Sequence, residues 1–355
     1  MSICPRLEIN IKKVQHNTKV LADKLKKHHI EIAGVTKVFC GLPEVVEAMI
    51  EGGVKYLADS RIENLVKLRD KQVKKWLLRL PMQSQVREVV KYADVSLNSE
   101  ITTIRKLSEE AVKANRVHGI ILMVDLGDLR EGLWQDKVEE AVQEILKLEG
   151  VKLIGVGTNL TCYGGVIPNR DNLGKLVEIA EKLEKRFDIK LSIISGGNSS
   201  SLDLLEKKGV PKRINNLRLG EAIVLGRETA YGNPIEDTYQ DAFQLIAEIV
   251  ELKEKPSLPI GEIGMDAFGN KPIFEDIGIR KRAILAVGRQ DVNPDSITPT
   301  DDKIRIFGAS SDHLIIDVTD TDRDYKVGDE ISFNIEYGSL LRLATSEYIY
   351  KKLNK

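Results

Sequence analysis

Apolar positions recur along this chain in two alternating rhythms. In "NIKKVQHNTKVLADKLKKHH" the residues Ile11, Val14, Thr18, Leu21 and Leu25 step by three or four, the single stripe of an amphipathic helix. Short apolar runs come next, each trailed by a helix-like stretch: "IAGVTKVF", "KYLADS", "WLLRLP", "ADVSLNS", "GIILMVDLG", "VKLIGVGTNL", "LSIISGGNS" and "INNLRLGEAI". Val138, Ala141, Val142, Ile145 and Leu148 share a face in "DKVEEAVQEILKLEG", with Gly150 as its stop. Leu173, Leu176, Val177, Ala180, Leu183 and Phe187 do the same in "NLGKLVEIAEKLEKRF". Strands that alternate with helices predict parallel βα units, and eight such units close a barrel. The runs are continuously apolar, as fits strands covered on both faces.

The rhythm changes after about Tyr239. "DAFQLIAEIVELKE", "IRKRAILAVGRQDV", "KIRIFGASSDHLIIDVTD", "DEISFNIEYGSLLRLA" and "SEYIYKKL" read as strands split by Pro, Gly and Asp clusters. The predicted class is therefore α/β, a (β/α)8 TIM-like barrel over residues 1–238 followed by a smaller C-terminal β-domain over 239–355.

Composition narrows the function. The 355 residues are 42% hydrophobic and 30% charged with a net charge of −1, and acids and bases are interspersed. No basic face points to nucleic acid. Three cysteines, Cys4, Cys40 and Cys162, make no disulfide framework. No CxxC or HExxH spacing marks a metal site. The start "MSICPRLEINIKK" lacks an apolar signal core, and "GIILMV" is far too short to span a membrane. These features fit a cytoplasmic, soluble protein. His16, His28, His29 and His118 read as structural or exposed, and Trp76 and Trp134 as packing.

Three segments carry candidate chemistry. Lys37 ends the first barrel strand, and the chemistry of such barrels sits at that end. A buried lysine loses its proton more easily and can then attack an aldehyde, whereas a merely snorkelling lysine does nothing of the kind. "SGGNSSSLDLL" joins a strand, a Gly pair and hydroxyls to a helix, which makes either a phosphate cradle or an ordinary serine cap. Arg218 lies inside the apolar "NNLRLGEAIVLG" and needs a partner there, either a ligand or a structural ion pair.

Taken in order, these motifs resemble the fold-type III, pyridoxal-phosphate-dependent alanine racemase family, and its ornithine/alanine racemase-like branch in particular. "RLEINIKKVQHN" is similar to the family's entry strand and helix, and "GVTKVFCG" to its cofactor-lysine strand. "VDLGDLREGL" resembles the arginine-bearing strand, "SGGNSSS" the phosphate turn, "NNLRLGEAIVLG" the Arg-x-Gly strand and "GASSDHLIIDV" a substrate-reaching C-terminal motif. The resemblance implies that the entry strand, about residues 6–11, joins the C-terminal domain. It implies that Lys37 forms the Schiff base and serves as one base, with pyridoxal 5′-phosphate as cofactor. Asn159, Asn198, Ser199, Gly220 and Glu221 would complete the cofactor site. Arg218 would face the pyridine nitrogen, and Arg130 the phenolic oxygen or the substrate carboxylate. Arg289, Ser311 and Asp312 would bind substrate, the last two from the other subunit of a head-to-tail homodimer.

The chain also departs from that pattern. Cys40 occupies the region of a family tyrosine, Asn159 that of a stacking histidine, and Arg289 that of the opposite-face tyrosine. An arginine is too weak an acid to carry that proton. Cys162 and Tyr337 are the candidates for the second acid/base, beside Tyr163, Tyr231 and Tyr348. Ornithine or a related basic amino acid is the expected substrate and alanine the alternative, with Asp291, Asp295 or Asp312 as the acid for a distal ammonium. A non-catalytic pyridoxal-phosphate homeostasis protein and a lyase or aldolase on the same fold are the other readings.

Overall fold

The computed structural model describes residues 3–355. Contacts divide the chain into two units: Lys12–Gln240, and the N-terminal segment up to Ile11 together with Asp241–Lys355. Strand β1 (Arg6–Asn10) leads directly into helix α1 (Ile11–Lys26). In the first unit eight strands close into a parallel barrel in chain order. They are β2 (Glu31–Val35), β3 (Tyr56–Asp59), β4 (Lys75–Leu77), β5 (Val95–Asn98), β6 (His118–Met123), β7 (Val151–Gly157), β8 (Ile193–Ser195) and β9 (Asn216–Leu219). The ring shuts where β2 pairs with both β3 and β9, with Ala33 opposite Tyr56 on one side and Arg218 on the other. Between the strands run α2 (Pro43–Glu51), α3 (Ile62–Lys67), α4 (Val86–Tyr92), α5 (Ile101–Lys113), α6 (Val138–Ile145), α7 (Arg170–Phe187) and α8 (Ser201–Lys208). The short α9 (Glu221–Val224) comes after the last strand.

The helices form for local reasons. Asn169 caps α7 by accepting from the backbone of Asp171 and Asn172, and Asn172 answers by accepting from Asn169 N–H at 2.9 Å. Leu173, Leu176 and Leu183 are then fully buried, each contributing roughly 2 kcal/mol of apolar transfer. On α1 the buried face is Val14, Asn17, Thr18, Leu21 and Leu25. Asn17 is a polar residue on that face because its amide is saturated: Nδ2 donates to Ile223 O and Tyr239 O, and Oδ1 accepts from Tyr239 N–H.

Three expectations change. Helix α6 ends at Ile145 rather than at Gly150, leaving Leu148 half-buried. Gly150 serves another purpose, since a Cβ there would lie 2.1 Å from the Ser108 carbonyl oxygen. Trp76 packs as expected and stacks on Tyr56, but Trp134 is 53% exposed on the loop after β6.

The second unit is an antiparallel sheet with the order β12-β15-β10-β11-β14-β13. Its strands are β10 (Phe243–Pro256), β11 (Ile279–Leu285), β12 (Ile297–Pro299), β13 (Arg305–Ala309), β14 (Leu314–Asp317), β15 (Glu330–Ile335) and β16 (Tyr350–Asn354). Strand β1 pairs antiparallel with β10 and parallel with β16. The stretch "GSLLRLA" belongs to helix α10 (Tyr337–Thr345), not to a strand. Leu, Arg and Ala are strong helix formers, and Leu340 and Leu343 fall on one buried face.

His118 opens β6 at 2% exposure, with Nε2 paired to Ser96 Oγ at 2.7 Å. Burial pushes its imidazole down from 6.5 to about 4. Between those values the unfolded chain binds a proton that the folded chain refuses, so stability falls as pH drops through the window. The loss from this group is expected to reach roughly 3 kcal/mol by the acid end. Denaturant unfolding of the native protein and His118→Gln at pH 7 and pH 4.5 checks this. Equal pH slopes in the two proteins would remove His118 from the account.

Candidate active site

The first rim feature is a turn. Strand β2 ends when Thr36 N–H donates to Ala58 O at 2.8 Å, and a 3-10 turn over Lys37–Phe39 begins at once. Cys40 and Gly41 both take left-handed backbone angles, φ 56° and 64°, and Pro43 opens α2. Val38 and Phe39 are buried, so they anchor the turn while Lys37 sits half-buried at the mouth. An ammonium comes directly after a buried strand here because this turn lifts it onto the rim.

The second feature is a buried cation. Arg218 on β9 is 4% exposed. Nη1 donates to Ser195 Oγ at 2.7 Å, and Nη2 donates to Thr158 O at 2.8 Å and Asn159 Oδ1 at 3.3 Å. All three acceptors are neutral, so the structural ion pair is not what holds it. Burial pushes the guanidinium down to about 10, still far above neutrality, so it remains a pure donor.

The third feature joins β8 to α8. Gly197 has φ 108°, which a residue with a side chain rarely adopts. Asn198 Oδ1 accepts from Ser200 N–H, and Ser199 Oγ accepts from Ala222 N–H at 3.3 Å, so the start of α8 is tied to α9. Three buried polar atoms here have no protein partner: Thr158 Oγ1, Asn159 Nδ2 and Ser200 Oγ. The Asn159 amide cannot turn to use its donor elsewhere, because Oδ1 already accepts from Asn198 Nδ2 and Arg218 Nη2. Unspent buried donors beside a helix N-terminus fit a ligand with anionic acceptor oxygens.

Two loops complete the rim. Asp125 accepts from the backbone of Gly127 and Leu129, shaping the loop that carries Arg130. Arg130 itself is exposed and clasps Glu131 through two nitrogens, which holds it even further toward the charged form. Asp128 accepts from Thr161, Tyr163 and Val166 N–H and so fixes the loop that carries Cys162. Asn198 Nδ2 donates to Cys162 Sγ at 3.4 Å. Sequence reasoning assigns no role to Thr158, Ser195, Asp125, Asp128 or Asp59. Short polar residues ending apolar strands are their only signal.

In the second unit the substrate candidates also cluster. Arg289 and Gln290 donate their backbone N–H to Ser310 O and Ser311 O, and Arg289 Nε donates to Ala309 O. Ser311 Oγ donates to Asp312 Oδ2 at 2.6 Å. Asp291 is buried and accepts from Ser346 Oγ, while Asp295 is exposed. Tyr337 is half-buried at the start of α10, and Tyr163, Tyr231 and Tyr348 are all exposed. Among the described residues no group of three His, Cys, Asp or Glu side chains gathers as metal ligands would, and no helix is long and apolar enough to cross a membrane.

A closed parallel barrel with a rim lysine, a buried donor-only arginine and unspent donors at a helix start defines a site for a small anionic molecule. The chain belongs to the alanine racemase family: residues 9–228 match its N-terminal domain, described as "Alanine racemase, N-terminal domain". It is 53% identical to the ornithine racemase of Acetoanaerobium sticklandii, over 98% of this chain and 99% of that protein. It is 42% identical to the lysine racemase of Thermotoga maritima, over 98% of each. An alanine racemase from Streptomyces lavendulae shares the fold with a TM-score of 0.76 at 17% identity, covering 100% of this chain and 98% of that one.

Replacing Arg218 by leucine would leave Ser195, Thr158 and Asn159 without their donor. Urea unfolding of Arg218→Leu is expected to show a loss of about 2–3 kcal/mol. A change under about 0.5 kcal/mol would show that the arginine is structurally idle.

Proposed function

We propose that this chain is a pyridoxal 5′-phosphate-dependent racemase that interconverts the L and D forms of ornithine or a related basic amino acid. The observation that carries this reading is the 53% identity to an ornithine racemase along nearly the whole of both chains. The second unit favours it over a non-catalytic pyridoxal-phosphate carrier, because that unit gathers Arg289, Ser311 and Asp312 into one turn cluster. In this reading the enzyme is a cytoplasmic, head-to-tail homodimer in which the partner subunit's Ser311 and Asp312 meet substrate.

The residues present suit the cofactor. Lys37 would hold it covalently, Asn198, Ser199, Gly220 and Glu221 its phosphate end, Arg218 its ring nitrogen, and Asn159 and Arg130 its remaining polar groups. When bound, pyridoxal phosphate draws electrons from the Cα of an attached amino acid and makes its hydrogen acidic. The chain's own residues then select the outcome. Arg218 donates and keeps its own proton, which tempers the electron demand at the ring nitrogen and favours return of a proton to Cα over loss of the carboxylate or amino group. Lys37 moves the proton on one face. A racemase needs a second carrier on the other face with a proton affinity near working pH. Cys162 is the candidate on the same rim, where Asn198 touches its sulfur and the Arg130 guanidinium interacts with it. A thiol starts nearer neutrality than a phenol, which favours it over Tyr337.

Borohydride reduction of the purified protein, with peptide mapping of the product, is expected to place the adduct on Lys37. Turnover of ornithine and lysine should exceed that of alanine by at least about tenfold. Cys162→Ala is expected to keep the cofactor absorbance and lose about 100-fold in both directions of turnover. Intact turnover in both directions would assign the second face to another group, and an adduct elsewhere would overturn the reading.

A further inference from the structure

Asp59 is a carboxylate at the end of β3 with 0% exposure. Nothing in the proposed reaction uses it, yet every hydrogen bond it makes is accepted from a donor near Lys37. Thr36 Oγ1 donates to Oδ2 at 2.6 Å, and Thr36 is the residue that precedes Lys37. Arg61 N–H donates to Oδ1 at 2.8 Å, and Asn64 Nδ2 reaches both oxygens at 3.2 Å. Asn64 Oδ1 in turn accepts from Lys67 Nζ, which also donates to Cys40 O at the far end of the turn. Gly41 packs closely against the same asparagine: a Cβ would lie 3.2 Å from Asn64 Cβ. Both ends of the Lys37 turn are thus tied to one buried anion.

The register explains the placement. Val35 pairs with Ala58, so the next residues along, Thr36 and Asp59, stand side by side where β2 and β3 leave the barrel. The cations on neighbouring elements are Lys67 on α3, the exposed Arg61, and Arg218 on β9. Glu63 on α3 is exposed and turned to Gln85. Burial pushes the Asp59 carboxyl above its usual range, while the donors from Thr36, Arg61 and Asn64 pull it back, as does the charge of Lys37.

We propose that Asp59 is a positioning residue for Lys37: by accepting from Thr36, Arg61 and Asn64 it clamps the turn that carries the lysine at the barrel mouth. This rests on the reading of Lys37 as the reactive amine.

The test compares native protein, Asp59→Asn and Thr36→Val. Borohydride mapping first establishes whether Lys37 carries the cofactor, which judges the function and leaves Asp59 aside. The cofactor is then removed as its oxime, and the rate at which added pyridoxal phosphate re-forms the Lys37 adduct is followed by absorbance and peptide mass spectrometry. Re-formation is expected to slow about tenfold in Asp59→Asn. In the loaded enzyme kcat should fall with it while KM stays within about twofold. Thr36→Val removes one donor to the same carboxylate, so it should slow re-formation and turnover in the same direction by about threefold. An unchanged rate of re-formation in folded Asp59→Asn would overturn the proposal. So would an unchanged rate in Thr36→Val, and that arm decides the question if the asparagine variant does not fold.

Discussion

A guanidinium buried in an apolar barrel has to be met by acceptors, and the structure of the mouth depends on how Arg218 is met. An unpaired buried charge costs several kcal/mol, so its neighbours are constrained as tightly as it is. The hydrogen bonds run in one direction. Arg218 donates to Ser195 Oγ, Ser195 donates to Asn216 Oδ1, and Asn216 Nδ2 donates to Glu31 O across the seam where the barrel closes. Thr158 and Asn159, just beyond β7, take the other nitrogen. One cation therefore ties together the last three strands and the first. Because every acceptor is neutral, its charge remains available to whatever enters the mouth.

The barrel is legible in the sequence because its strands are apolar on both faces and its helices on one. Each of the eight runs named from periodicity forms a strand of the closed ring. The pieces that differ share a cause. "GSLLRLA" comes only two residues after a true strand, so its helical spacing is hidden by the run before it. Trp134 reads as packing by its size alone, although the loop it occupies has no hydrophobic periodicity to bury it. Lys37 and Arg218 stand out as charges in apolar surroundings. Asp59, Ser195 and Thr158 do not, because a short polar residue at a strand end looks the same whether it caps, turns or pairs. Only the register between strands separates those roles, and register is a long-range property that local sequence does not carry.

The rim shows how the remaining carboxylates are used. Asp125 and Asp128 each gather backbone N–H groups, as Glu228 does from Ala230, Tyr231 and Asn233. Gly164 presses against the same Asp128 backbone, where a Cβ would come within 2.6 Å of its carbonyl oxygen. Glu131 is taken by Arg130, and Asp59 by the turn of Lys37. These anions stiffen loops that would otherwise move, and fixed loops hold reacting groups better than mobile ones.

That commitment has an electrostatic consequence. With its carboxylates spent on backbone donors or neighbouring side chains, the barrel mouth presents Lys37, Arg218 and unspent neutral donors, a field suited to phosphate and α-carboxylate groups. It is poorly suited to the distal ammonium of a diamino acid, which needs an anion that is still free to turn toward it. In the proposed reaction Asp312 is a candidate for that anion. It is exposed and accepts from the adjacent Ser311 hydroxyl, a contact that a substrate ammonium can join without breaking a fold-defining bond.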